Sequence, residues 1–183
     1  MYHGGVMSGR GIERLIEATA RLEDVGLVIL GNGSEAYVAS LEALAEKEGT
    51  TDRVQFHTAV PIKELWKYVG AADISLAPIE LVAKNHYYSL PNKFFESIQS
   101  LTPVIASEVP EMKRIIDQYQ VGLTCKPGDV DDICRCIRTM QQNKEFYEKC
   151  KQNLRKAKNE LCWEREKMEL NQAFDRCIDK ADF

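Results

Sequence analysis

Residues 25–36 have the sequence VGLVILGNGSEA, an apolar run followed at once by a turn with two glycines. The run Val25–Gly31 has the length and β-branched composition of a strand buried on both faces. The turn Gly31–Ala36 then opens an amphipathic helix over Glu35–Glu48. A buried strand that leads through a glycine turn into such a helix is typical of a parallel sheet covered by helices.

The same alternation of strand and helix continues along the chain. Short apolar runs predict further strands at Met1–Gly4, Arg53–His57, Ala72–Pro78, Thr102–Ala106 and Val121–Cys125. Helical patterns lie at Gly11–Leu22, Ile62–Val69, Pro91–Ser100, Pro110–Gln118, Val130–Gln142, Asn143–Asn159 and Trp163–Asp179. We predict an α/β fold: a doubly wound, Rossmann-like parallel sheet of about six strands with additional C-terminal helices. The region between Pro78 and Pro91 is predicted to be a loop.

The length and the net charge of the chain limit the number of domains and the classes of binding partner. The 183 residues suit one Rossmann-like domain over 1–183, in which 143–183 form a helical tail. A formal net charge of −4, from 24 Lys plus Arg against 28 Asp plus Glu, argues against a dedicated nucleic-acid binder. No apolar run approaches the ~20 residues that a bilayer-spanning helix needs. No signal-peptide pattern opens the chain.

The cysteines indicate a reducing compartment. All six lie in the last third of the chain, without the spacing of a zinc site or of a small disulfide framework. We expect reduced packing residues of a cytoplasmic protein. The first strand is shorter than the ~5–6 residues of an ordinary strand. We therefore expect that the chain was cut from a longer one and that Met1 is a start introduced by cloning.

Ligands of open α/β sheets bind beyond the carboxyl ends of the strands, so the turns there are the candidate sites. The turn Gly31–Ala36 fits the loose dinucleotide pattern, although an ordinary glycine turn has the same sequence. An NAD site also needs an acidic residue at the end of the next strand, which instead ends at His57 and Thr58. The chain contains no Gly-Lys-Ser or Gly-Lys-Thr triplet, so a Walker site is excluded.

A second candidate lies where the long loop after Pro78 meets the helix that starts near Pro91. The free N–H groups from Leu90 to Lys93 form a potential phosphate cradle, and Lys93 adds positive charge. The Glu96 carboxylate is suited to accept hydrogen bonds from two ribose hydroxyls. Alternatively, Lys93 and Glu96 are a solvated pair at helical spacing.

Five blocks follow one another along the chain with a recognisable spacing. They are YHGGV…GRGIERLIEA, LVILGNGSE, VQFHTAVPIKELWKYVGAADISLAP, LPNKFFESIQSLTPVIAS and VGLTCKPGDVDDI. Over about Tyr2 to Ile133 the ordered set resembles the carboxyl-terminal domain of family 4 (group 1) retaining glycosyltransferases of the GT-B fold.

The resemblance implies two Rossmann-like domains that face each other across a cleft. The carboxyl-terminal domain binds the nucleotide-sugar donor, and the amino-terminal domain binds most of a glycan or lipid-linked acceptor. This chain is then the donor-binding half of a hexosyl-type transferase for polysaccharide biosynthesis, inactive without its missing amino-terminal domain. Neither a cofactor nor a metal is expected. A cytoplasmic location is expected, at the inner face of the membrane if the missing half associates with that surface.

The resemblance also assigns roles to individual positions. Of the family's paired glutamates, the second matches Glu96 and is expected to hold the ribose, while the first falls on Tyr88. Of the two cations expected after the first strand, one falls on Gly5 and the other is kept as Arg10. Asn85, His86 or a backbone amide would replace the lost glutamate. The expected donor-binding residues are Gly5, Arg10, Gly33, Ser34, Val60, Tyr88, Leu90, Asn92, Lys93 and Glu96. Within this set Gly33 and Ser34 lie beside the nucleoside and Val60 near the base edge.

No nucleophile is nominated, because the family has no established protein nucleophile, and any catalytic base would belong to the missing half. Two alternatives stay open: a stand-alone α/β nucleotide-binding or regulatory module, and a GT-B sugar-nucleotide epimerase. In the family the final helix often crosses to the amino-terminal domain. In that case Trp163, Met168 and Phe174 would be partly exposed in this chain.

Overall fold

Six strands form one parallel sheet in the computed structural model of the chain, which describes residues 1–178. In chain order the strands are β1 (Tyr2–His3), β2 (Leu27–Leu30), β3 (Val54–His57), β4 (Ser75–Ala77), β5 (Val104–Ser107) and β6 (Gly122–Cys125). Across the sheet their order is β3-β2-β1-β4-β5-β6, and every neighbouring pair is parallel. The predicted doubly wound α/β fold is confirmed.

Helices cover the sheet. They are α1 (Ile12–Ala20), α2 (Glu35–Lys47), α3 (Ile62–Gly70), α4 (Lys84–Tyr87), α5 (Asn92–Gln99), α6 (Pro110–Tyr119), α7 (Val130–Gln142), α8 (Lys144–Glu160) and α9 (Trp163–Ile178). One core cluster joins α1, α2 and α7 to the sheet around Tyr2, Ile16 and Leu41. A second joins α5, α6 and α8 around Phe94 and Leu154. Asp179, the predicted end of the last helix, lies outside the described residues.

Several strands are shorter than predicted, because turns that follow the preceding helices use their first residues. Val25 N donates to Leu22 O at 3.3 Å, and Ala72 N donates to Val69 O at 3.2 Å. Each bond closes a tight turn of the connection, and the strand starts only after that turn. The predicted loop between Pro78 and Pro91 was wrong in one respect, since it contains the short helix α4.

The first strand is short but lies at the centre of the sheet. It pairs with β2 on one side and with β4 on the other, so Tyr2 faces Ile29 and Leu76 in register. Gly4 N extends the pairing by donating to Leu30 O at 2.9 Å. Backbone hydrogen bonds on both sides therefore fix where β1 ends.

Two glycines of the turn after β2 are required by the approach of the chain that follows β1. A Cβ atom on Gly31 would lie 1.8 Å from Gly4 O, and one on Gly33 would lie 2.3 Å from Val6 O. Both distances are far inside van der Waals contact. These glycines thus let two loops of the protein pack together, which is the ordinary structural role of a glycine turn.

The last described helix presents apolar side chains to solvent. Trp163 is 65% exposed and Phe174 is 60% exposed, and Met168 is exposed as well. The partial exposure expected for these side chains is confirmed. Within residues 1–178, none of the helices combines the length and the apolarity needed to cross a lipid bilayer.

The described cysteines are packing residues. Cys125, Cys134, Cys136 and Cys150 are buried free thiols, as predicted, and Cys162 is a half-buried free thiol. The side chain of Cys177 is outside the described structure.

The close approach at Gly31 predicts a large loss of stability in Gly31→Ala. The added methyl group must displace the backbone at Gly4, so we expect the free energy of unfolding to fall by about 1–3 kcal/mol or more. Urea denaturation measures the change.

Gly26→Ala is the matched control, because a Cβ atom there would meet only Arg53 O, at 3.7 Å. We expect its effect to stay within about 0.5 kcal/mol. Equal effects of the two substitutions would contradict the packing role of Gly31.

Candidate nucleotide site

The strand order places a crevice between β1 and β4. Chain connections run from β1 toward β3 on one side and from β4 toward β6 on the other. The loops after β1 and β4 therefore diverge and leave an opening at the carboxyl ends of these two strands. The loop after β1 carries Gly5 and Arg10, and the connection after β4 leads to Lys93 and Glu96. The fold thus gathers charged candidates from distant parts of the chain at one opening.

Lys93 reaches from the first turn of α5 across the end of β1. Its side chain is only 8% exposed, and Nζ lies 3.7 Å from the centre of the Tyr2 ring. A Cβ atom on Gly4 would lie 3.5 Å from Lys93 Cε, so the glycine leaves room for the lysine stem. Lys93 is therefore buried, and the interpretation of Lys93 and Glu96 as a solvated helical pair was wrong.

The buried ammonium of Lys93 lacks hydrogen-bond partners. Lys93 Nζ has no hydrogen-bond partner within residues 1–178. Burial, together with the positive charge of Arg10, lowers the pKa of Lys93 to about 7, against an opposing effect of Glu96. A contact with the Tyr2 ring stabilises a desolvated ammonium by about 2 kcal/mol, which is less than full hydration supplies. An anion in the crevice would supply the missing partner.

Glu96 faces the buried side chain of His3. Its Oε2 lies 3.2 Å from His3 Nε2, where the carboxylate is 30% exposed and the imidazole 1%. Glu96 also lines a groove of about 320 Å³ between α3 and α5, together with Asn92, Phe95 and Trp66. The carboxylate is therefore in contact with the protein at Oε2, and the side chain as a whole is partly exposed.

Buried serine hydroxyls hold α5 in place relative to the sheet. Ser97 Oγ donates to Lys93 O at 2.6 Å and lies 2.6 Å from Ser75 Oγ in β4. Two residues after β4, Ile79 N donates to Ser107 Oγ at 2.7 Å, and Ser107 Oγ donates back to Ile79 O at 2.9 Å. The bonds of Ser97 fix the helix that carries Lys93, and those of Ser107 tie the segment after β4 to β5.

The phosphate cradle that is expected at the start of α5 stays a prediction. The helix begins at Asn92, with Pro91 at the N-cap and no side-chain cap. The first N–H groups of a helix have no intrahelical acceptor, so they remain available to an anion. Asn92 is exposed and Leu90 is half-buried at this end.

Other predicted site residues lie in the neighbouring loops. Ser34 caps α2, where its hydroxyl accepts from Tyr37 N at 3.3 Å. Asn32 Oδ1 accepts from Ala59 N at 2.9 Å, which ties the loop after β2 to the loop after β3. Val60 lines a cavity of about 650 Å³ with His57 at the end of β3 and with residues of β2 and α3. This cavity is different from the groove that Glu96 lines.

In the loop at the position of the lost glutamate, some of the candidate side chains already contact other parts of the protein. Tyr88 is 63% exposed and packs edge-to-face on Tyr87, with ring centres 5.0 Å apart. His86 Nδ1 lies 2.6 Å from Glu80 O, so this nitrogen is engaged by the backbone. Asn85 is exposed. Of the candidates for the sugar contact, Asn85 and the second ring nitrogen of His86 stay predictions.

The sequence matches a known protein family. A family model described as glycosyl transferases group 1 matches residues 4–157, well over half of the chain. This chain belongs to the group 1 glycosyltransferases. The recognition of a GT-B glycosyltransferase from its sequence blocks is thereby confirmed.

Individual relatives of this glycosyltransferase chain are distant and longer. The D-inositol 3-phosphate glycosyltransferase of Xylanimonas cellulosilytica is 32% identical over 119 residues, which are 63% of this chain and 27% of the relative. Sucrose-phosphate synthase from Thermosynechococcus elongatus superposes with a TM-score of 0.86 at 22% identity, over 98% of this chain and 45% of that one. Anabaena HepE, solved with UDP and glucose, has a TM-score of 0.81 at 16% identity, over 97% and 47%. The chain spans less than half the length of each of these proteins.

Sequence reasoning missed two members of the cluster, Tyr2 and His3. Both residues fall within the strand predicted over Met1–Gly4, where they do lie, but neither was expected to take part in the site. The available signal was its position at the end of a buried strand, directly before Gly4 and Gly5. Within residues 1–178, no group of three His, Cys, Asp or Glu side chains is arranged to hold a metal ion.

The burial of Lys93 predicts a distinct pH dependence of stability. Between pH 7 and its ordinary value of 10.5, the lysine is largely deprotonated in the folded state but protonated in the unfolded one. The unfolded state binds more protons, so this contribution to stability rises with pH across that interval. Lys93→Met removes this contribution. We therefore expect the free energy of unfolding of the wild type to rise relative to that of Lys93→Met from pH 7 to pH 10.

Urea denaturation at intervals of one pH unit measures this difference. Lys84→Met is the matched control, since Lys84 is exposed, and its stability should run parallel to that of the wild type. A Lys93→Met profile that is also parallel to the wild type would contradict the buried state of Lys93.

Proposed function

We propose that this chain is the carboxyl-terminal, nucleotide-sugar-binding half of a retaining glycosyltransferase that transfers a hexose-type sugar. The proposal is supported most directly by the crevice between β1 and β4, where a buried, partnerless ammonium and a half-exposed carboxylate stand at one opening. A nucleoside diphosphate has the complementary chemistry, with an anionic diphosphate beside a ribose diol. The complex of HepE with UDP and glucose favours UDP as the first nucleotide to test.

Lys93 and Arg10 would bind the diphosphate in this proposal. Negative charge develops on the leaving nucleoside diphosphate as the bond between the anomeric carbon of the sugar and the diphosphate oxygen breaks, and preorganised positive charge stabilises it. The ammonium of Lys93 is held in a site of low polarity, where its attraction for phosphate is stronger than in water. Arg10 adds a planar guanidinium suited to phosphate oxygens. The N–H groups at the start of α5 add donors on the same side.

Glu96 would bind the ribose hydroxyls. A carboxylate offers acceptors only, so it is matched to two neighbouring hydroxyl donors and not to a phosphate. Its opening into the groove between α3 and α5 leaves space for the nucleoside. The acceptor and the remaining catalytic groups would then come from the other half of the parent protein, across the cleft of the GT-B fold.

Nucleotide titration tests the proposal. We expect the chain to bind UDP, GDP or ADP, detected by calorimetry, and to bind UDP more tightly than 2′,3′-dideoxy-UDP if UDP is the nucleotide. Glu96→Gln removes the charge from the ribose contact. Because hydrogen bonds to a charged group contribute about 1.5–3 kcal/mol, we expect at least a roughly tenfold loss of affinity for the ribonucleotide.

The dideoxy nucleotide should bind equally to the wild type and Glu96→Gln. Glu42→Gln, at an exposed position of α2, is the matched control and should bind like the wild type. Unchanged ribonucleotide binding by Glu96→Gln would remove Glu96 from the ribose site. Absence of binding to every nucleotide would contradict the proposal and favour a module without a donor site.

A further inference from the structure

We propose that His3 is a positioning residue that holds the Glu96 carboxylate in the orientation needed to bind the ribose hydroxyls. The proposal rests on the proposed role of Glu96 and assigns to His3 a function in the same site. It is carried by the contact between His3 Nε2 and Glu96 Oε2 across the end of the central strand.

The imidazole is fixed by its strand. His3 pairs with Leu30 in register, and the following Gly4 N donates to Leu30 O at 2.9 Å. Successive residues of a strand point to opposite faces, so Tyr2 joins the core cluster beneath α1 while His3 meets α5. With 1% exposure, the His3 side chain has little freedom to move.

The polar atoms of His3 have few alternatives. Neither ring nitrogen completes a hydrogen bond to another group within residues 1–178. A buried donor without a partner costs about 1–3 kcal/mol. The Glu96 carboxylate at 3.2 Å is within hydrogen-bond reach of Nε2 and needs only a small rotation to accept a directed bond. His3 and Glu96 are thus the natural partners of each other at this site.

The carboxylate gains order from this contact. The Glu96 side chain is 30% exposed, and without a partner it would sample several rotamers. Ordering a side chain on binding costs about 0.5–1.5 kcal/mol, and a pre-existing contact avoids that cost. A bond from Nε2–H to Oε2 leaves Oε1 and the remaining lone pairs of the carboxylate for the two hydroxyls.

Three substitutions of His3 separate this role from simple core packing. The terminal amide nitrogen of Gln lies where Nε2 lies in His, whereas that of Asn lies near Nδ1. His3→Gln therefore keeps the donor toward Glu96, His3→Asn misplaces it, and His3→Leu removes it. The readout is the ratio of affinities for UDP and 2′,3′-dideoxy-UDP, because only the former carries the hydroxyls. If the nucleotide titration selects another base, the corresponding pair of nucleotides is used.

We expect His3→Leu and His3→Asn to lower this ratio about three- to tenfold, with binding of the dideoxy nucleotide unchanged within twofold. His3→Gln should restore the wild-type ratio within about threefold. In a Glu96→Gln background, His3→Leu should have no further effect on the ratio, because the carboxylate through which it acts is gone.

Several results would overturn the role of His3. They are an unchanged ratio in His3→Leu, an equal loss for both nucleotides, or equal ratios in His3→Gln and His3→Asn. If His3→Leu does not fold, the comparison of the affinity ratios of His3→Gln and His3→Asn decides alone. Failure of the ribose proposal itself is distinguishable, because the wild type and Glu96→Gln would then already have the same ratio.

Discussion

The hydrogen bonding of β1 between β2 and β4 is the constraint on which the rest of the structure depends. Only Tyr2 and His3 belong to this strand, yet backbone bonds on both sides hold it at the centre of six parallel strands. Because the chain leaves β1 toward one side and β4 toward the other, a crevice opens at their carboxyl ends. The site is therefore a consequence of strand order, and its side chains are placed by the backbone beneath them.

Buried polar side chains near this crevice fall into two groups, those with hydrogen-bond partners and those without. The serine hydroxyls of Ser75, Ser97 and Ser107 are satisfied by short bonds and serve to fix α5 and the segment after β4. Lys93 and His3 are buried without such satisfaction. In a folded protein an unsatisfied buried polar group lowers stability, and such groups cluster where a ligand completes their bonding. The contrast within one small region distinguishes the scaffold from the candidate binding groups.

Local patterns in the sequence were sufficient for the fold and for part of the site. The apolar run around residues 25–31 predicted a buried strand because burial on both faces requires continuous apolar composition. Lys93 and Glu96 were identified because they follow a long connection at the start of a helix. The burial of Lys93 was not predictable, since an exposed lysine and a buried one have the same spacing on a helix. The glycines at 31 and 33 were ambiguous for a similar reason, and the structure shows them packed against the loop after β1.

By itself, the sequence determined the alternation of strands and helices, the membership in a glycosyltransferase family and the residues that carry charge near the strand ends. These properties depend on residue type and on spacing along the chain. Only the tertiary structure decided that His3 contacts Glu96, that Lys93 lies over Tyr2 and that Val60 belongs to a different cavity. The physical reason is that strand order and helix packing bring distant residues within a few ångströms of each other, and no local pattern records that distance.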